Sequence, residues 1–478
     1  MALLATLVVL AILVALTASL AFAVRTESTL AAGEQRRVEA QWLAESGLQR
    51  AVLELRDRPE GFLSLVPEAD NGRPLVLRLD SLDEPELAPE GEGFVVEGLD
   101  ETARLNLNEA PEQVLTRLLP NEPEIVDALL DWRDEDDLPR AEGAEADYYA
   151  TLQPPHAPRN GPFETAEELL LVKGVTPARF FGALGLSPLA DESEREQVDP
   201  LLTPLADLFT VDTFEDNVAA DGQARVDLTK ATRESLMQAF GDELTEAEAA
   251  SITSWVEESA KRDSQPAADA ETPEIPAPQT PMPGPSLMPD ASGPDAADSA
   301  QADPTPPGGV DRPVAGLISV LSRETLEKIY DRLTMSSDQR VLGLINVNTA
   351  SPEVLAALPG MDEAIAQSIV SAREQQPFET VGALLGQTEI TNEQFERVAP
   401  WLTTRGQTVK LVATGRVGEG QEAVQRRVTA VVLVEMVPVS TDTQGAQSTG
   451  DAATTTAANG TTATPPQRTV RLVYHRVD

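Results

Sequence analysis

The sequence predicts an α+β fold. A long N-terminal helix, transmembrane in its first half and amphipathic in its second, packs on an antiparallel sheet, and a large all-α domain is inserted between early and late strands. Three observations predict it. An apolar run opens the chain and flows into a charged helical pattern with no breaker before Pro59. Alternating strand patterns stand near residues 72–107 and again after residue 404. Between them the pattern is helical and internally repeated.

The helix comes first. Ala2 to Val24 holds 23 residues with no charge, and only Thr6, Thr17 and Ser19 are polar. At about 1.5 Å per residue such a helix crosses a bilayer core. After Arg25, apolar residues recur at Leu30, Val38, Trp42, Leu48, Val52 and Leu55, and Pro59-Glu60-Gly61 ends the pattern. The segments are thus a transmembrane part, 1–24, and its amphipathic continuation, 25–58. Ala21-Phe22-Ala23 resembles a signal-peptide cleavage site, but the apolar run is long for one and no basic residue precedes it. A plain anchor for an unrelated ectodomain is the other alternative.

The strands "RPLVLRLD" and "GEGFVVEGLD" place the first part of the sheet in 59–107. The inserted helical domain follows over 108–257. Residues 261–314 hold 13 of the 37 prolines, which sets a disordered linker over 258–314. A second helical unit covers 315–403. The C-terminal strands fill 404–478, with a Thr/Ala/Gly-rich disordered insert at 439–467.

Composition excludes several functions. The chain of 478 residues carries a net charge of −43, and a surface so acidic repels nucleic acid. There is no cysteine, hence no disulfide framework and no thiolate metal site. Only His156 and His475 are histidines, which leaves no histidine-rich zinc site or histidine triad.

Three segments repeat. "ARLNLNEAPEQVL" begins at Ala103, "ARVDLTKATRESL" at Ala224 and "GLINVNTASPEVL" at Gly343. Asn106, Asp227 and Asn346 align, as do Asn108, Thr229 and Asn348. These side chains are expected to accept backbone N–H bonds and cap the helix that follows. A second helix comes next, and in the first and third units the phrase "PFET" follows it. The third unit, around Pro359-Gly360-Met361, has the pattern of a helix-hairpin-helix, as does "LLLVKGVTPARFF". Such hairpins bind DNA when their N–H groups face a phosphate, but here Asp362 and Glu363 stand where a phosphate would dock.

The stretch from Asp131 to Asp147 packs eight carboxylates and two arginines. Like charges so dense repel unless solvent or a cation relieves them. Calcium takes six to eight oxygen ligands and tolerates irregular loops. Asp134, Asp136, Asp137, Glu142, Glu145, Asp147 and Asn160 are the candidate donors. A solvated acidic loop is the equal alternative on these residues alone. A paired-carboxylate hydrolase finds no acid marked as proton donor.

The head of the chain, with "WLAESGLQRAV", resembles type IV pilins and pseudopilins. It departs from them in Ala5, where most pilins carry Glu, and in lacking a basic leader ending in Gly ahead of the apolar run. The order Trp132, Asp134, Asp136, Gly143–Glu145, Tyr148–Tyr149, Pro154–Pro155, Asn160, Phe163, Glu167–Leu169 and Val172–Val175 resembles type II secretion system protein K, the large minor pseudopilin. Asp100–Ala110 and Ile345–Gly360 also resemble that family. The middle repeat is extra to its usual layout. The resemblance implies the pseudopilin fold, calcium bound in or near the acidic loop, and a non-enzymatic place at the pseudopilus tip. It implies other minor pseudopilins as partners through the N-terminal helix, the major pseudopilin filament beneath, and no nucleic acid. It also implies processing by a prepilin peptidase if a leader lies upstream. The location implied is the inner membrane, single-pass, with the C-terminal body in the periplasm. The alternatives are a helix-hairpin-helix DNA-binding envelope protein and a tip pilin of a type IV pilus.

Overall fold

The computed structural model describes residues 2–57, 75–81, 92–185, 202–220, 223–264, 314–418, 423–437 and 467–477. Helix α1, Ala2–Asp57, runs unbroken through the apolar and the charged stretch. It contains no proline, and its side chains divide by helical period. Ala40, Ala44, Leu48, Ala51 and Leu55 are buried at spacings of three and four. Among the described residues α1 is the one helix long and apolar enough, by length and composition, to cross a membrane.

That buried face lies on a five-stranded antiparallel sheet. Its strands are β1 (Leu75–Asp80), β2 (Glu92–Asp100), β3 (Thr408–Val417), β4 (Val424–Val437) and β5 (Gln467–Val477), and they stand in that order across the sheet. The early and late strands meet at β2 and β3, where Val409 faces Asp100 and Ala413 faces Val96. Alternation puts Val409, Leu411 and Ala413 of β3 and Val428, Ala430 and Val432 of β4 into one core with α1. Burying Leu48 and Leu55 there contributes roughly 2 kcal/mol each. The helix sits very close to the sheet. A β-carbon on Gly415 would fall 1.8 Å from the Ala40 carbonyl oxygen, and one on Gly47 would fall 2.7 Å from the Phe94 ring. Only glycine permits that approach.

Three like units form the inserted region. Each begins with a two-residue strand and is closed by a parallel partner: Leu105–Asn106 with Phe209–Thr210, Val226–Asp227 with Leu333–Thr334, and Ile345–Asn346 with Leu402–Thr403. Leu107, Leu228 and Val347 then donate to the carbonyls of Thr210, Thr334 and Thr403 at 2.8, 2.9 and 2.8 Å. The inserted region is thus mainly helical, with short ladders as clasps. The aligned Asn/Asp side chains do not cap the next helix, as the sequence led us to expect. They accept from the N–H two residues on, in Asn108, Thr229 and Asn348, at 2.8, 3.0 and 3.0 Å. Thr232 and Ser351 cap the second and third units' helices instead.

Units one and three share a second clasp. Asn108 exchanges two hydrogen bonds with the backbone of Phe163, and Asn348 does the same with Phe378. Arg133 donates to the carbonyls of Leu107 and Ala110, and Arg373 to those of Val347 and Ala350. The middle unit has Thr229 and Val256 at these places. Its long helix runs from Glu246 to Ser264, so residues 258–264 of the expected linker are helical instead. The next described element is a 3-10 turn at Val314–Ser319. The rest of that linker, 265–313, lies outside the described residues, as does the expected insert apart from Gln467, which opens β5.

The helical units are fixed to the far end of β2. The Asp100 carboxylate, fully buried, accepts from Thr102 N–H at 2.9 Å, from Asn346 Nδ2 at 2.7 Å and from Thr349 Oγ1 at 2.6 Å. Gly406 packs against it where a β-carbon would come within 2.5 Å.

The third unit's hairpin is already occupied. Gly360 turns it at φ +75° between helices Pro352–Ala357 and Glu363–Gln375. Arg117, from the first unit, donates to the carbonyls of Ala356, Leu358 and Met361. Asp362 caps the second helix by accepting from Ile365 N–H at 2.9 Å. The hairpin joins two units, and the Ile365 N–H at the start of its second helix meets the Asp362 carboxylate, which weighs against the DNA-binding alternative.

Candidate metal site in the acidic loop

The site grows from the end of the helix Pro123–Arg133, which starts on a proline at its first turn and buries Ile125, Val126, Leu129 and Leu130. The same burial carries Asp131 into the interior, at 0 % exposure. The loop then folds back over that carboxylate. Arg140 N–H donates to Asp131 Oδ2 at 3.1 Å, and the Arg140 side chain approaches Oδ1 at 3.5 Å. Gly143 lies so near that a β-carbon would be 2.0 Å from Asp131 Oδ2. Two outer ties hold the return: Glu142 N–H donates to Asp127 Oδ2 at 2.9 Å, and Lys173 Nζ donates to the Glu142 carbonyl at 2.9 Å.

This wrapping drives Glu145 inward, to 5 % exposure, and neither of its carboxylate oxygens has a hydrogen-bond donor. Ligand oxygens of Asp134, Asp136 and Glu145 all lie within 4.8 Å of one another. Asp134 Oδ1 is also buried without a donor. Asn160 takes the left-handed conformation, φ 47°, and its Nδ2 donates to the Asp136 carbonyl at 3.2 Å and to Asp137 Oδ1 at 3.0 Å. That leaves Asn160 Oδ1 turned into the protein, again without a donor.

The electrostatics follow the geometry. Burial, then the charges of Asp131, Asp134, Asp137 and Asp136, push the Glu145 carboxyl from 4.5 to about 7. Burial raises Asp134, with Asp136 adding to it, and burial raises Asp131 as well. Buried acceptors from three side chains without donors are costly unless a cation supplies the missing charge. Their donor set, carboxylate and amide oxygen with no nitrogen or sulfur, fits a hard divalent ion of the calcium type.

The structure narrows the sequence-predicted set. Asp134, Asp136 and Glu145 converge, and Asn160 and Asp137 adjoin them. Glu142 and Asp147 do not join the group. Both are exposed, Glu142 because the loop is tied through its backbone and Asp147 because it sits in the first turn of the short helix Ala146–Tyr149. Sequence reasoning missed Asp127 and Asp131, whose carboxylates shape the loop. The signal was their place on the apolar helix, where an aspartate seldom faces inward without a partner. It also missed the aromatic wall behind the loop. Trp132 packs edge-on against Tyr149 at 5.3 Å and stacks on Phe163 at 6.4 Å, and His156 lies 5.1 Å from Tyr149.

Comparison with known proteins gives two family matches. The first-domain model of type II secretion system protein K matches residues 95–182, which include the whole acidic loop. A second protein K model matches residues 345–405, the third unit. Neither covers the middle unit. No curated protein matches the chain. Among solved structures, the crystal structure of the GspK-GspI-GspJ complex from the enterotoxigenic Escherichia coli type 2 secretion system is similar, at 13 % identity and a TM-score of 0.40, over 95 % of this chain and 99 % of that one.

Proposed function

The chain belongs to the type II secretion system protein K family, and from that premise we propose that it is the minor pseudopilin at the tip of the pseudopilus. Helix α1 holds it in the inner membrane, single-pass, with the body in the periplasm, until it assembles. It then joins other minor pseudopilins through α1, above the major pseudopilin filament that drives export. No covalent chemistry is asked of it.

One observation carries this reading: the face of α1 turned away from the sheet. Leu13, Leu20, Val24, Val38, Trp42 and Leu53 fall on one side of the helix, opposite the buried Ala40, Ala44, Leu48, Ala51 and Leu55, and Trp42 is 69 % exposed. An apolar stripe that continues past the membrane-length run fits neighbouring helices of the same kind. The placement of the helical units supports the tip. Gly415 lies at Ala40, on the membrane side of the sheet, whereas the units attach at Asp100, opposite Val409. Their bulk stands beyond the end of α1 and obstructs a subunit above.

The acidic loop we read as a calcium site. Asp134, Asp136 and Glu145 would hold the ion, with Asn160 and Asp137 beside them. Bound there, it supplies the positive charge that the buried acceptors need. Asp127, Asp131 and Lys173 position the loop whether or not it is filled.

Val38→Glu with Trp42→Glu tests the assembly role. Both side chains are exposed, so the fold should persist by circular dichroism. Co-purification of the other minor pseudopilins from membranes and export of secreted cargo should both fall about tenfold or more. Unchanged co-purification would overturn the proposal.

A further inference from the structure

The outer edge of β5 has no role in the assembly described above. The strand pairs with β4 on one side and is last in the sheet among the described residues, so its other edge presents main-chain N–H and C=O groups there. It is 11 residues long. Its charge is also out of character. The chain has 79 acidic and 36 basic residues, yet strands β3, β4 and β5 together contain seven arginines and lysines and one carboxylate, Glu435. Pairing of Arg471 with Leu433 and of Arg476 with Thr429 puts both arginines on the sheet face turned away from α1. Arg427, two residues from Thr429, shares that face, and all three are exposed. Between the arginines of β5, Leu472 and Val473 are 53 % and 49 % exposed.

Arginine on an outer strand often only guards against indiscriminate pairing. A guard needs charge, but it does not need a long strand with Leu and Val left open between the charges. We propose that this edge receives an extended, carboxylate-bearing segment of a neighbouring pseudopilin as a sixth strand. Main-chain bonds hold the segment, and the arginines select it. The chain's net acidity repels such a segment elsewhere, so this basic edge sets where it lands. A register shift in β5 sets Arg471 and Arg476 opposite β4 residues only four apart, Leu433 and Thr429, about 13 Å along the strand, so the matching carboxylates are spaced by about four residues.

The inference rests on the pseudopilin reading, and one experiment separates the two. The photo-reactive amino acid p-benzoylphenylalanine is placed at Val473, or in a parallel sample at Trp42, in the full chain co-expressed in membranes with the other minor pseudopilins of its system. Adducts from Val473 should map to an Asp/Glu-containing stretch of another pseudopilin. Arg471→Glu with Arg476→Glu should cut their yield about tenfold, and the Trp42 adducts should not change. Trp42 adducts without Val473 adducts would overturn the edge proposal alone. So would Val473 adducts within this chain's own acidic segment 265–313, or adducts indifferent to the charge reversal. Loss of both kinds would overturn the assembly reading too.

Discussion

Replacing Glu145 by Gln separates a cation site from a merely acidic loop. In the absence of metal, Glu145 has a folded-state value of about 7 against an ordinary 4.5, from burial first and from four neighbouring aspartates second. The native state therefore binds the proton more tightly than the unfolded state. The stability it contributes is present below the unfolded value and is lost as pH rises through the folded one. At about 1.4 kcal/mol per unit, the loss approaches ~3 kcal/mol by pH 8 and is under ~1 kcal/mol at pH 5. Glu145→Gln removes the charge. In chelator it should stabilise the chain at pH 8 by ~2–3 kcal/mol, which raises the melting temperature of a chain this long by ~2–4 °C, and change it little at pH 5. With calcium the order should reverse at pH 8, because the wild type gains from the ion and the variant has lost a charged ligand. Scanning calorimetry of the full chain in detergent, with chelator or calcium at both pH values, reads all four states. A variant that melts lower in chelator at pH 8, or that gains as much from calcium as the wild type, would refute the reasoning.

Two further outcomes follow from contacts. Gly415→Ala should lift α1 from the sheet, since its β-carbon would meet the Ala40 carbonyl at 1.8 Å and the Ala44 nitrogen at 2.7 Å; the cost should be ~3 kcal/mol or more, seen as faster amide exchange over residues 40–55, whereas Gly33→Ala, with nothing within 4 Å, should be neutral or mildly stabilising. Arg117→Ala removes the donor to three carbonyls of the third unit's hairpin and should cost ~1–3 kcal/mol in thermal unfolding, with the loss of protection concentrated at Leu358–Asp362.

Much of the fold was legible because its signals are periodic. The apolar run gave α1 to within a residue or two of its end at Asp57, since nothing short of Pro59 interrupts it. The alternation in "GFVVEGLD" and "TVKLVATGRV" gave two strands, and their pairing follows from each having one apolar face. The three-fold repeat was visible in aligned Asn and Asp residues, but their purpose was not. A side chain that bonds its own backbone two residues on and one that caps a helix look alike in sequence. Of the seven candidate ligands, the five that gather do so through contacts remote in sequence. Asn160 reaches Asp137 across 23 positions, and only the closed loop shows it. Glu142 and Asp147 match the composition of a ligand set but point elsewhere, which spacing alone could not reveal in a loop without a regular period. The middle unit's helix ran past the expected boundary because Ala and Glu in "EESAKRDS" keep helical preference up to the first proline, Pro266.

The middle unit shows which parts of the repeat are structural and which serve the site. It keeps the ladder, Val226–Asp227 on Leu333–Thr334, and the turn in which Asp227 accepts from Thr229. It lacks the asparagine that clasps a phenylalanine backbone and the arginine that braces the opening loop. In the first unit those two residues frame the acidic loop: Arg133 ends the helix before it, and Asn108 holds Phe163 after it. In the third unit the same clasp spans Arg373 to Phe378, too short a stretch to enclose an ion. The clasp therefore fixes the two ends of whatever lies between the helix and the Pro-Phe-Glu-Thr phrase. The first unit has filled that interval with the carboxylates, and the middle unit, which has no clasp, leads at the same point into residues 265–313. A hinge at either end of the acidic loop would let its carboxylates separate and relieve their own repulsion. Held at both ends, they keep their charge together.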